Sequence, residues 1–183
     1  MPKYLLGTDN GCTMSKAALF TLDGREVAVA SKKTDTLTPR PGHLERNVPE
    51  MWASTAAVIR EAIAKARVNP ADVACVACAG HGNGLYLINE AGEPVRHAIM
   101  STDSRARDII DEWLAAGVGE KVRPLTTQSI WPAQPNVLLL WLKRQRPEAI
   151  RKAAWALMAK DYVRYKLTGE VQAELTDMSG TSL

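Results

Sequence analysis

Three short strand-like runs joined by tight turns open the chain, and they constrain everything that follows. The runs cover residues 4–9, 16–22 and 25–33. Asp23-Gly24 between the last two is a strong two-residue hairpin signal, because such turns need positive φ. A polar segment with Pro39, Pro41 and Pro49 comes next. Proline lacks an N–H, so this segment is expected to be neither helix nor central strand. Asn47 then starts a helix, with Glu50 three residues on as in a capping box. Its apolar stripe is Trp52, Ala56, Ile59, Ile63 and Ala66, a helical period. Asn69-Pro70 ends it. The run 73–79 is almost continuously apolar, which predicts a strand buried on both faces.

Strand, strand, strand, helix, buried strand is the opening of a ribonuclease H-like (actin-like ATPase) α/β domain, an order with which several α+β folds also begin. A mixed sheet with flanking helices is the expected fold class. After residue 79 come "GHGNG" and a second hairpin turning at Ala91-Gly92. A helix over 103–116 follows, with Ile109, Ile110, Trp113 and Leu114 inward and Gly117 as its stop. The stretch "RPLTTQSIWPAQP" reads as loop. Two more helical segments, a short strand near 155–159 and a helix ended by Gly169 complete the pattern, and "TDMSGTSL" offers no obvious element.

Composition narrows the partners. The 183 residues carry 23 Lys+Arg against 20 Asp+Glu, a net charge of +3 spread along the chain. That balance argues against nucleic acid or a membrane surface as partner. No apolar run approaches the roughly 18 residues of a spanning helix, and no signal-peptide core follows Met1. Three cysteines without framework spacing fit a reducing cytoplasm. Cys75 and Cys78 fall on opposite faces of a strand, so packing is expected of them and not a redox pair or half a zinc site.

Two glycine-rich turns could carry chemistry. In the first, Gly11, Cys12 and Thr13 would let backbone N–H groups approach phosphate oxygens. Asp9 beside them could hold Mg²⁺ through water, and Lys16 could add positive charge. An ordinary Asn-Gly hairpin with an exposed acid is the alternative. In the second, glycines at 80, 82 and 84 leave the backbone open at a strand's C-terminal end, where open α/β sheets place ligands. His81 there suits hydrogen bonding to a neutral polyol. Asp103 reads as a helix N-cap, and Arg105 and Arg107 as solvated. A two-metal nuclease would need further carboxylates at this point, and Ala79-Gly80-His81 supplies none.

"YLLGTDNGCTMSKAALF", "AGHGNGLYLINEAGEPV", "STDSRA" and "AKDYVRYKLTGE…TDMSGTSL" occur in the same order and at similar spacing in the FGGY carbohydrate kinases. The sequence resembles that family from near residue 4 to residue 183, and most of all its xylulose and L-xylulose kinase branch. The resemblance implies a two-lobed, cytoplasmic enzyme that uses ATP and Mg²⁺ to phosphorylate a primary hydroxyl of a ketopentose. Residues 1–183 would be its N-terminal actin-like lobe, without the ATP-binding second lobe. It assigns Asp9, Gly11, Thr13 and Lys16 to the phosphate loop and His81 to the sugar. Asp103 and Arg105 fall in the family's W-x-D-x-R element, also on the substrate side. Cys12 departs from the usual Thr or Gly. Ser101 stands where many members have Trp, which would widen the pocket. The family's proton-accepting aspartate lies beyond residue 183, so a missing lobe or a homo-oligomeric partner is implied. A non-catalytic sugar- or partner-binding lobe is the alternative.

Overall fold

A computed structural model describes residues 3–181; the ends of the chain, including the last two residues of "TDMSGTSL", lie outside them. The opening meander forms as β1 (Tyr4–Asn10), β2 (Met14–Thr21) and β3 (Glu26–Lys33). β1 and β2 are antiparallel, from Tyr4 opposite Thr21 to Asn10 opposite Ser15. Gly24, at φ 87°, makes the β2–β3 turn, a backbone state that costs glycine little. Alternation then sorts the faces. Leu6, Thr8, Asn10, Ser15, Ala17 and Leu19 are buried, while Asp9 and Lys16 point to the exposed face.

The proline-bearing segment holds more order than its composition suggests. It forms β4 (Leu37–Arg40) and β5 (His43–Arg46). Pro39 sits in β4, at the edge of a separate small sheet. β5, which has no proline, is that sheet's central strand.

Asn47 caps α1 (Val48–Ala66), its Oδ1 accepting from Glu50 N at 3.3 Å. The fully buried face is Val48, Met51, Ser54, Thr55, Val58 and Ala62. The expected stripe of Trp52, Ala56, Ile59, Ile63 and Ala66 is its half-buried neighbour. Side-chain size misled the periodicity. Small residues let the helix approach the sheet, so Val58 and Ala62 pack on Leu6, Ala17, Leu19 and Ala30. Burial of each larger aliphatic group there stabilises by about 1.5–3 kcal/mol. Thr55 turns inward because its hydroxyl finds Asn10 Oδ1 at 2.6 Å.

A 3-10 turn leads to β6 (Val73–Gly80), parallel to β1 from Leu5 opposite Cys75 to Asn10 opposite Gly80. The main sheet is therefore mixed, with order β3-β2-β1-β6. β6 is not buried on both faces. Val76 is 41% exposed, and Ala74, Cys75, Ala77 and Ala79 are exposed as well. Among the described residues β6 pairs on one edge only. Small apolar residues read alike whether covered or bare. The cysteines follow suit: Cys75 is exposed and Cys78 half-buried, both free thiols.

The doubly buried strand is instead β7 (Tyr86–Ile88), whose residues are 0–3% exposed. Leu87 faces one core cluster, while Tyr86 and Ile88 face another. Gly92, at φ 76°, turns the chain back toward β8 (Ala98–Ile99). The hairpin expected here is reduced to the bridges Leu85–Ile99 and Ile88–Pro94. β8 pairs with β5, and β7 with β9 (Trp155–Leu157).

The remaining helices are α2 (Arg107–Ala115), α3 (Val118–Thr126), α4 (Pro135–Gln145), α5 (Pro147–Lys152), α6 (Ala159–Thr168) and α7 (Leu175–Ser179). α2 starts later than expected and leaves Leu114 57% exposed, while Ile109 and Ile110 are buried. Gly117 stops it, but α3 then extends through Pro124 into the stretch read as loop. α7 was not foreseen either. Glu174 caps it, accepting from Thr176 N and Asp177 N. No helix among the described residues is long and apolar enough to cross a membrane.

Candidate functional site

The turn between β1 and β2 is held from beneath by a buried arginine. Arg46, 1% exposed, donates through Nη1 to Gly11 O at 2.8 Å and through Nη2 to Cys12 O. Two carbonyls are thereby drawn inward. The amides of Cys12 and Thr13 donate to no acceptor among the described residues, while Gly11 N closes the turn on Met14 O at 3.0 Å. A loop with its carbonyls tied down and its N–H groups unspent is an anion-binding arrangement.

Asp9 and Lys16 flank this turn as direct cross-strand neighbours, both exposed. Neither makes an ion pair among the described residues. Asp9 is a lone carboxylate: no group of three His, Cys, Asp or Glu able to hold a metal occurs among the described residues. It fits Mg²⁺ in the way that ion commonly binds, through one or two carboxylates with water and phosphate oxygens completing the shell.

Asn10, fully buried, joins this turn to the glycine-rich one. Its Oδ1 accepts from Ser15 Oγ at 3.0 Å, and its backbone O accepts from His81 N at 3.1 Å. His81 Nε2 lies 3.0 Å from the Tyr86 hydroxyl, which donates to Met51 Sδ at 3.6 Å. Asn83 holds φ 56°, and Gly84 holds φ 76° where a Cβ would come within 2.6 Å of Ile99 O. Gly82 packs so closely on Asp177 that a Cβ would meet its Oδ1 at 3.2 Å. Lys160 spans Glu174 at 2.8 Å and Asp177 at 3.3 Å, which fastens α7 beside this loop.

Buried polar atoms normally find partners. Here Asn10 Nδ2, Arg46 Nε, His81 Nδ1 and Asn83 Oδ1 have none among the described residues. All four belong to this corner: Asn10 Nδ2 and Arg46 Nε are donors, Asn83 Oδ1 is an acceptor, and His81 Nδ1 is an acceptor while its Nε2 donates to the Tyr86 hydroxyl. Ser101, 9% exposed, adjoins this corner, with Oγ 3.7 Å from Cys12 Sγ.

Asp103 and Arg105 do not join the group. The Asp103 side chain is 0% exposed, so its carboxylate does not share the exposed position of Asp9. Asp103 Oδ2 accepts from Leu44 N at 2.6 Å, and Oδ1 from Arg105 N at 2.8 Å and Nε at 2.9 Å. It caps no helix: Ala106 precedes α2 without a side-chain bond. Arg105 is buried, not solvated. Its Nη2 also meets Glu45 at 2.9 Å, and its guanidinium lies 5.2 Å from the centre of the Trp141 ring. Arg107 stays exposed and pairs with Asp111. The pair at 103 and 105 pins the loop that carries Ser101.

Sequence reasoning passed over Arg46, Asn10, Asn83 and Tyr86. Asn83 had a visible signal, a polar residue between two glycines. Arg46 had none, since its role depends on β5 lying under a distant turn.

Burial, aided by the Arg46 charge, pulls the His81 imidazole down to about 4. The unfolded chain, with His near 6.5, binds that proton more readily. His81 therefore contributes its full stabilisation above about pH 6.5 and loses it as pH falls toward 4. Urea unfolding at stepped pH is expected to show His81→Gln with a slope shallower by up to about 1.4 kcal/mol per pH unit in that window. Equal slopes in the two proteins would place a charged His81 in the native state.

The mixed β3-β2-β1-β6 sheet, with a glycine turn after each of its two parallel strands, central β1 and edge β6, defines a ribonuclease H-like domain of the actin-like kind. A family model, the FGGY family of carbohydrate kinases, N-terminal domain, matches residues 4–183. The chain is 36% identical over 183 residues to the L-xylulose/3-keto-L-gulonate kinase of Escherichia coli, covering 100% of this chain and 37% of that protein. It is 33% identical over 180 residues to a probable L-xylulose kinase of Pasteurella multocida, covering 98% and 37%. The gluconate kinase structure from Lactobacillus acidophilus superposes with a TM-score of 0.92 at 23% identity, over 100% of this chain and 36% of that one. The chain belongs to the FGGY family of carbohydrate kinases. It spans little more than a third of the length of these relatives.

Proposed function

We propose that this chain is the sugar-binding part, with the first phosphate loop, of an ATP-dependent kinase acting on a ketopentose such as xylulose or L-xylulose. The observation that carries the reading is the Arg46-braced turn, with unspent Cys12 and Thr13 amides, beside the unpartnered polar atoms of Asn10, His81 and Asn83. The unpartnered atoms of Asn10, His81 and Asn83, uncharged groups at pH 7, suit sugar hydroxyls, and the turn suits phosphate.

In this reading Cys12 and Thr13 bring backbone donors to the terminal phosphates of ATP, and Lys16 adds charge. Gly11, whose own N–H is spent on Met14 O, keeps the turn open to close approach. Asp9 would hold Mg²⁺ through water, and the bound ion offsets charge on phosphate oxygens. His81, neutral at pH 7, orients the sugar. Asp103 and Arg105 act on the substrate side through the Ser101 loop that they pin. Positioning of a primary hydroxyl in line with the γ-phosphoryl group is the main contribution of such a site. A second lobe, or a partner chain, supplies the rest of the nucleotide site and the proton acceptor.

Calorimetric titration of the chain with L-xylulose and D-xylulose tests this. Saturable binding of one of them is expected. His81→Ala and Asn83→Ala should each weaken it by about tenfold, the scale of one hydrogen bond lost in a desolvated site. Binding that is absent, or untouched by both substitutions, would place the sugar elsewhere.

A further inference from the structure

A polar cavity lies against the Arg105 side of the Asp103–Arg105 pair. It is a trough of about 310 Å³ lined by Arg40, His43, Arg96, Arg105, Trp141 and Arg146. It continues into a wider groove of about 660 Å³ through the shared residues Glu45, Arg96 and Arg146. Volumes of this order hold small metabolites. None of Asp9, Gly11, Thr13, Lys16 and His81 lines either space.

Its charges do not balance. Glu45 is shared between Arg96 and Arg105, and Asp103 is held by Arg105. Arg40 and Arg146 form no ion pair among the described residues; Arg146 Nη1 reaches only the carbonyl of Gln145, at 3.0 Å. Two guanidinium forks thus line one trough whose own carboxylate, Glu45, is already engaged. Glu148, the carboxylate nearest to Arg146 along the chain and unpaired among the described residues, lines the adjoining groove and not the trough. The wall behind them is rigid. The Arg105 side chain is 1% exposed and lies against the Trp141 ring, whose other neighbour, His43, meets it edge-on at 5.7 Å. His43 and Gln145 offer hydrogen bonds to hydroxyl groups, and the indole offers an apolar wall.

We propose that this trough binds a phosphate monoester of a small sugar or polyol, gripped by Arg40 and Arg146, at a site separate from the glycine-rich corner. Each guanidinium presents paired donors that match a phosphate face. One such group neutralises a carboxylate, whereas two suit a dianion.

The test is calorimetric titration of the chain with ribose 5-phosphate, inorganic phosphate and citrate. Saturable one-to-one binding of ribose 5-phosphate is expected, tighter than that of inorganic phosphate or citrate. Both arginines are exposed, so Arg40→Ala/Arg146→Ala should keep the fold, checked by circular dichroism. The double variant should weaken binding at least about tenfold, the scale of a lost charge-assisted bond. Lys16→Ala, in the phosphate turn, should leave it within about twofold, because that residue lies outside the trough. Binding lost in Lys16→Ala but kept in the double variant would assign the phosphate to the β1–β2 turn and overturn the proposal. So would the absence of saturable binding at millimolar concentration, or equal affinity for citrate.

Discussion

Purified alone and given Mg-ATP with a panel of ketopentoses and keto-sugar acids, the 183-residue chain is expected to show no turnover in a coupled ADP assay. Two losses combine. The family resemblance places the general base beyond residue 183, and removing such a base costs about 10²–10⁴-fold. The larger loss is positioning. Effective molarities of well-oriented groups reach about 10⁵ M and beyond, and the relatives carry nearly two thirds of their length outside the matched part. Addition of a separately expressed C-terminal segment from a relative is expected to restore measurable activity if the chain is a catalytic lobe. Turnover by the chain as a monomer would sink the argument. An acid within it, Asp103 or Asp177 first, would then have to serve as base. Asp103 is an unpromising one, because its carboxylate has no exposed surface.

The largest effect on stability is expected at Arg105. Arg105→Leu leaves the buried Asp103 carboxylate facing only backbone N–H donors, and removes one of the two guanidinium partners of Glu45, leaving it Arg96. Breaking a buried pair in this way costs about 3–5 kcal/mol. For a domain of this size that lowers Tm by roughly 6–20 °C. Adding Asp103→Asn to Arg105→Leu removes the stranded charge and should recover part of the loss. Thermal melts of the two single variants and the double variant decide it. A Tm within a degree of the parent for Arg105→Leu would mean that the pair contributes nothing net.

Much of the framework was legible because local chemistry wrote it. Asp23-Gly24 had one inexpensive conformation. Asn47 with Glu50 announced a helix start, and Gly117 and Gly169 announced stops. Whatever depended on partners far along the chain was not legible. The 73–79 run and Tyr86–Ile88 are both apolar, yet only the second is sandwiched between two core clusters. The stripe of α1 was displaced by one row because Ser54 and Thr55 face inward. In the site, the glycines and His81 were visible as an open backbone with an ionisable group. The brace beneath them, Arg46, was invisible, as was the burial of Arg105 against Trp141. Each of these rests on β5, a strand that the prolines around it had concealed.

The register of β6 on β1 also bears on how the chain reaches this arrangement. β1, β2 and β3 can zip together through turns of a few residues, and α1 follows directly. Pairing Leu5 with Cys75 instead closes a loop of about seventy residues. The entropic cost of closure rises only with the logarithm of loop length, but it falls due before the new contacts form. The inner edge of β1 therefore waits, unpaired and apolar, while the chain between it and β6 takes shape. During that interval the strand destined for the middle of the sheet is an edge. Its danger in a crowded solution is then the pairing of one nascent chain with another.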